Sequence, residues 1–419
     1  MDSVKKTILL WFVGICVLFP LFIQLNGGIY NDVAAMTDSL GAVASLPLPI
    51  SLFACVAIFL LLSGNFQRVH AALAMIAGVV LVSLVSLWLG GDGVTLPQRK
   101  LLLMAQILLP LAGLVLGQLI EDQQKIIARA FLVVLSFVVP LQLLASWAQG
   151  GLILTHYLYV FSIYSHFQYV TLIFVCAYAF ALTSLWDEHK IWLSLLALPM
   201  LIYALAGLSF LTIAAFALVI LVFIIQKVWQ HRKNSKQILI CLVLIAAGVC
   251  GSVLYFNKMY THEVSNGIGP EFFKEKFKRL TEGKVPSNVA ERFGDWRLFG
   301  GGIIESPKTM LVGHPQPMPR EIRSSPHNWY IDTAYTFGLL GLLPVLIFLG
   351  YTAYLCWMKR KTLPSQLWWL AAIVFYLVVI DSNFKVTLRQ PYPGIFTYFL
   401  WGLLLSRMRR PNHLESAET

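Results

Sequence analysis

The residues best suited to chemistry gather late in the sequence. Ser324-Ser325-Pro326-His327-Asn328 precedes a long apolar run, and a serine and a proline at such a point predict a helix start. His327 then falls in the first helical turn, where the positive end of the helix dipole disfavours imidazolium and leaves a neutral ring able to accept a proton. That suits a general base. His327, Ile331, Ala334, Gly338 and Gly341 repeat at 4-3-4-3 spacing and share a face whose small residues let another helix approach. Asn328, Asp332 and Tyr335 form the adjoining polar stripe, with Asp332 about 140° round from His327 and badly placed to orient it within one helix. A blander role is also open: an interfacial histidine hydrogen-bonded to a loop carbonyl.

Upstream, Glu291-Arg292-Phe293-Gly294-Asp295-Trp296-Arg297 puts two guanidinium groups and an indole within seven residues, and Arg320 and Arg323 follow shortly before His327. Arginine forks fit phosphate oxygens, and tryptophan offers a flat face to a sugar or lipid headgroup. Salt bridges to Glu291 or Asp295 are the alternative, worth only about 0–1 kcal/mol when exposed. Further on, Asp381 and Lys385 stand at favourable i, i+4 spacing before Arg389. They read either as functional ionisable groups at a span end or as snorkelling anchors. Arg99 and Lys100 could add an anion contact. A neutral histidine with arginines at a lipid–water boundary suits transfer from a pyrophosphate-type leaving group to a hydroxyl. No phosphate-cradling glycine loop, His-Glu-x-x-His helix or metal-spaced acidic pair occurs, so neither metal nor cofactor is expected.

The elements that must position these residues are membrane helices. Of 419 residues, 58% are hydrophobic and 12% charged, against roughly a quarter charged in a soluble domain, which excludes an ordinary water-soluble enzyme. About twelve spans of about 20 residues would account for the apolar total. Apolar runs fall near 8–25, 46–63, 70–89, 100–120, 127–148, 167–186, 190–206, 208–226, 237–256, 327–357, 365–384 and 391–406. The expectation is an all-α polytopic membrane protein: helices 1–9 over residues 1–256, a large loop at 257–326 with short helices, helices 10–12 over 327–406, and a tail at 407–419. Glu271–Leu280 reads as a short helix on the membrane surface.

With the N-terminus inside, sixteen of the thirty-one Lys and Arg residues fall on cytoplasmic segments, whereas eleven of the remainder lie in the one long loop, which crosses regardless of charge. Both termini are therefore expected in the cytoplasm and residues 257–326 outside it. The formal charge of +11 then belongs to membrane topology, and no nucleic-acid partner is implied. All six cysteines lie in apolar runs, which makes a loop-stapling disulfide unexpected.

His327-Asn328, with Gly338 and Gly341 beyond, resembles the signature of the O-antigen ligase and O-antigen polymerase superfamily. Arg292-x-x-x-Trp296, Pro307 and Gly313 resemble that family's pattern in the large periplasmic loop, and Asp381 with Arg389 resembles its late Asp and Arg pair. The resemblance implies a GT-C-like, metal-independent inverting glycosyltransferase of the bacterial inner membrane that uses an undecaprenyl-pyrophosphate-linked glycan donor. His327 would be catalytic, Arg292, Arg389, Arg297 and Arg323 would contact the pyrophosphate, and Asp381, Asn328 and Trp296 would support them. The acceptor would be lipid A–core oligosaccharide for a ligase or a second lipid-linked glycan for a polymerase. One departure stands out: the Ser-Arg element such ligases carry between the seventh and eighth spans here reads Ala206-Gly207-Leu208-Ser209-Phe210-Leu211, without the arginine. From a different class, a twelve-span transporter also fits the hydropathy.

Overall fold

A computed structural model describes residues 3–24, 28–29, 48–62, 69–90, 98–120, 123–148, 167–207, 209–230, 278–279, 282–285, 287–319, 322–323 and 325–409. The described chain is almost entirely helical, and seven of its helices are long and apolar enough to cross a membrane. It is an all-α membrane protein in type. The expected span at 237–256, nearly all of the Glu271–Leu280 surface helix, and Arg320 lie outside the described residues.

Two compact units form, Met1–Ile127 with Asn288–Thr419, and Ala128–Ser287. In the first, α1 (Ser3–Leu18) stops earlier than the expected 8–25. Pro20 is the cause: it disfavours helical geometry at Phe19 and has no N–H to continue the ladder. The chain instead enters a small antiparallel sheet of order β2-β1-β3, in which β1 (Phe22–Gln24) pairs Ile23 with Ile29 of β2 (Gly28–Ile29) and with Leu48 of β3 (Leu48–Pro49). Then follow α2 (Ile50–Leu62), α3 (His70–Gly90), α4 (Gln98–Leu108), a 3-10 turn carrying Pro110, α5 (Ala112–Ile120) and α6 (Gln124–Ala148), whose first residues belong to this unit. After the second unit come α9 (Ser287–Ile303), α10 (Pro307–Val312), α11 (Trp329–Met358), α12 (Ser365–Phe375) and α13 (Pro391–Met408).

The core of this unit is the crossing of α5 and α13. A Cβ on Gly117 would lie 2.2 Å from the Phe399 carbonyl, and one on Gly402 would lie 2.9 Å from Gly117 Cα. Backbone meets backbone here, as in membrane helices that associate through small residues. The Gly113-x-x-x-Gly117 spacing lets the two backbones meet.

In the second unit, α7 (Phe167–Ala206) runs for 40 residues, about 60 Å if straight and twice a bilayer's hydrocarbon thickness. It does not run straight. The backbone leaves helical geometry at His189 (φ −131°, ψ 31°), and the Tyr178 hydroxyl donates to the Leu193 carbonyl at 2.9 Å, where a continuous helix would hold residues fifteen apart about 22 Å from each other. Phe174 likewise stacks on Tyr203, ring centroids 5.5 Å apart. The element is a helical hairpin whose arms correspond to the expected runs 167–186 and 190–206. At its turn Glu188 meets Arg129 of α6 at 2.6 Å, and Asp187 meets Lys227 of α8 (Phe210–Gln230) at 3.6 Å.

Large exposed side chains mark the helix ends. Trp88 on α3, Trp147 on α6, Trp229 on α8 and Trp357 on α11 are exposed within a turn of their helix termini. That is where amphipathic indoles settle at a membrane–water boundary.

Candidate functional site

The site is built where α9, the segment leading into α11 and the end of the α12 region meet, all within the first unit. Helix α11 begins two residues later than expected. Asn328 is its N-cap: Oδ1 accepts from the amides of Tyr330 at 2.9 Å and Ile331 at 3.1 Å, while the Trp329 amide donates to the Lys385 carbonyl at 3.1 Å. The donors that open a helix are thereby satisfied. His327 consequently stands outside the first turn and off the Ile331/Ala334 face, contrary to the expected helical register. The Asn328 side chain also donates to Asn383 Oδ1 at 3.1 Å, and the Tyr330 hydroxyl to the Val378 carbonyl at 2.8 Å, which ties this helix start to the end of the α12 region. Asn328→Ala should lower stability by about 1 kcal/mol through loss of the cap, read as a lower melting temperature in detergent.

Among the described residues, His327 is the one non-glycine residue with positive φ, at 51°. Histidine enters this left-handed region more readily than most residues, at a cost of order 1–3 kcal/mol that surrounding contacts must over-determine. Those contacts are present. The His327 amide donates to Ser325 Oγ at 3.1 Å, and Pro326 just before it accepts from the Trp296 indole at 3.0 Å. Trp296 in turn packs against Phe293 and Phe384, centroids 5.3 and 6.3 Å away. The indole is a strut beneath the histidine segment.

The His327 ring is exposed, yet surrounding protein withdraws water from its charged form and holds its pKa below the ordinary 6.5. The Arg292 charge pushes the same way, Asp295 opposes it, Arg323 adds to the depression and Glu291 opposes it again. Neutrality at the ring thus comes from desolvation and neighbouring guanidinium groups, since the helix terminus is already capped. The four charges also show that α9 and the Arg323 segment stand within electrostatic reach of His327.

The arginines divide into distinct roles. Arg292 is half-buried and donates from Nη1 to the Phe384 carbonyl at 3.0 Å, which fixes its guanidinium beside the histidine. Arg323 Nε contacts Asp295 Oδ1 at 2.6 Å, the salt bridge left open by the sequence. Arg297 is exposed on α9. Arg389 pairs with Asp332 in the first turn of α11, both side chains nearly buried, so it braces the helix that follows His327. Asp381 is fully buried, its carboxylate 3.1 Å from Lys385 Nζ and accepting from the Thr387 hydroxyl. Lys385 is no snorkelling anchor; it is held inward by that pair.

Lys100 does not offer an open anion contact. It is buried, and its ammonium donates to the carbonyls of His314 at 2.9 Å and Ser86 at 3.3 Å. His314, which spacing alone did not single out, stacks on Tyr335 at 4.1 Å and lies 2.9 Å from the Gly302 carbonyl through Nε2. Together they clamp α9 and α10 to α11. Asn383 was likewise missed, because its partner Asn328 lies fifty-five residues away and such a bond leaves no periodic trace.

Among the described residues no group of three or more His, Cys, Asp or Glu side chains is arranged to hold a metal ion. No protein-family model matches the chain, and no curated protein matches it.

Proposed function

We propose that the protein is an O-antigen ligase, transferring preassembled polysaccharide from undecaprenyl pyrophosphate to lipid A–core oligosaccharide at the periplasmic face of the bacterial inner membrane. The observation that carries this reading is His327. It is an exposed imidazole in a strained backbone, kept neutral beside Arg292, at the mouth of an apolar helix long enough to span a bilayer.

In the proposed reaction the acceptor hydroxyl oxygen attacks the anomeric carbon as the bond from that carbon to the pyrophosphate oxygen breaks. The electron pair leaves with undecaprenyl pyrophosphate, the hydroxyl proton passes to His327, and configuration inverts. A sugar hydroxyl is far less acidic than imidazolium, so the ring acts as the bond forms and as much by placing the hydroxyl as by proton affinity. Arg292 stabilises charge on the departing pyrophosphate, an electrostatic contribution that grows where water is excluded. Arg389 works at one remove, through Asp332 and the orientation of α11.

The test is reconstitution in lipid with an undecaprenyl-pyrophosphate-linked glycan and lipid A–core. Coupled product supports the ligase. Glycan polymer formed without core as acceptor would make the chain a polymerase, and solute movement without a new glycosidic bond would make it a transporter. Arg292→Lys should reduce transfer by about tenfold or more in the same assay, because a point charge does not reproduce a two-pronged phosphate contact. Equal activity would mean that positive charge alone suffices.

A further inference from the structure

At the opposite end of α11 from His327, a cavity of about 660 Å³ opens between the last turns of α11, α12 from Trp368 to Phe375, and Leu404 of α13. Its size lies in the roughly 300–1,000 Å³ range of ligand sites. Ala353 and Cys356 form one wall, Ala372 and Phe375 the other, and Leu404 of α13 lies behind them. From Leu349 to Trp357, the extreme lining residues on α11, the helix rises about 12 Å, most of the depth of one bilayer leaflet. The walls are apolar along that depth. The end is not: Arg360 lines it, with its guanidinium 4.1 Å over the Trp357 ring, and Trp368 stands on the facing helix.

Basic residues gather at that end. Lys359, Arg360 and Lys361 are consecutive, Arg407 and Arg409 end α13, and Arg409 lies over the Tyr351 ring of α11 at 5.5 Å. No Asp or Glu occurs between Thr333 and Ile380, or between Pro391 and Arg409. Arg360 is exposed on the short link joining α11 to α12, with Nη1 donating to the Trp357 carbonyl at 3.3 Å.

From this juxtaposition we infer that the α11–α12–α13 groove binds an anionic glycerophospholipid, with one acyl chain along the apolar walls and the headgroup phosphate at Arg360. Basic pockets between membrane helices recognise lipid phosphates in this manner, and tryptophan beside them suits the headgroup boundary. A zwitterionic lipid would offer the same chains but would meet Arg360 with no net charge. The inference is independent of the proposed transfer chemistry, because no residue of the His327 site lines the groove.

The experiment is native mass spectrometry of the purified full-length protein, delipidated and titrated with phosphatidylglycerol or with phosphatidylcholine of matched chains. Wild type should retain phosphatidylglycerol about tenfold more than phosphatidylcholine, the effect of one charge-assisted contact. Arg360→Gln should abolish that preference while leaving phosphatidylcholine binding unchanged. Ala372→Trp, which fills the groove, should lower binding of both lipids, and Lys308→Gln, on α10 and outside the groove lining, should change neither. If Ala372→Trp does not fold, the Arg360→Gln comparison decides alone. Equal retention of the two lipids by wild type, or a preference that survives Arg360→Gln, overturns the inference.

Discussion

His327→Ala is expected to lower glycan transfer by at least about 10²-fold in reconstituted membranes, with the melting temperature little changed. The rate effect follows from losing the group proposed to take the acceptor proton, typically worth 10²–10⁴-fold. The small stability effect follows from exposure: the ring is not core, and what holds the segment is the Ser325 and Trp296 contacts rather than the imidazole. Alanine is less at ease than histidine at φ 51°, so His327→Asn is the matched control, since asparagine enters the left-handed region readily. Both variants should be equally inactive. If either transfers glycan normally, the ring has no part in the reaction.

The same ring sets a pH dependence. Its pKa is depressed below 6.5, so at pH 7 it is neutral and competent, and activity should fall only as pH drops through that lowered value. Arg292→Gln removes one of the depressing charges, so the acid limb should move to higher pH. An acid limb that stays in place would separate Arg292 from the histidine electrostatically.

Gly338→Ala should have the largest structural effect, reducing folded, detergent-stable protein to a small fraction of wild type. Gly338 breaks α11 with φ 72° and ψ 179°, a conformation essentially restricted to glycine. A Cβ there would meet the Leu311 carbonyl oxygen at 2.0 Å and the Val312 amide nitrogen at 2.4 Å, both backbone atoms that no rotamer change can move. Gly313, also at positive φ, crosses the same break, and the His314 amide donates to the Tyr335 carbonyl at 2.9 Å. The substitution would therefore push α10 off α11 and release α9, which carries Arg292. Size-exclusion profiles and thermal melts read the outcome; a monodisperse, wild-type-like variant would show that α10 need not seat in the break.

Helical spacing singled out Gly338, but for the wrong geometry. Periodicity put Gly338 on a smooth small-residue face shared with His327. The residue interrupts the helix, and His327 never enters it. Similarly, hydropathy separated the runs 167–186 and 190–206, and both are helical, but the Tyr178–Leu193 hydrogen bond was needed to show that they fold back on each other. Hydropathy also carried the first span through Pro20, although local backbone chemistry ends α1 at Leu18. The Asp381–Lys385 pair was legible from i, i+4 spacing. The Arg389–Asp332 pair was not, since fifty-seven residues separate the partners.

By itself the sequence determined that this is a helical membrane protein, where most of its apolar segments run, and which short stretch concentrates histidine and arginine. Those properties are local: transfer free energy sums residue by residue along a span, and a helix satisfies its own backbone wherever lipid denies it water. Tertiary structure alone decided the partners. It assigned Arg323 to Asp295 and Arg389 to Asp332, turned Trp296 into a support, buried Lys100 among carbonyls and left Arg292 beside His327. Those choices depend on which groups from distant parts of the chain arrive within reach, and hydrogen bonds and ion pairs are too short-ranged for spacing along one helix to reveal it.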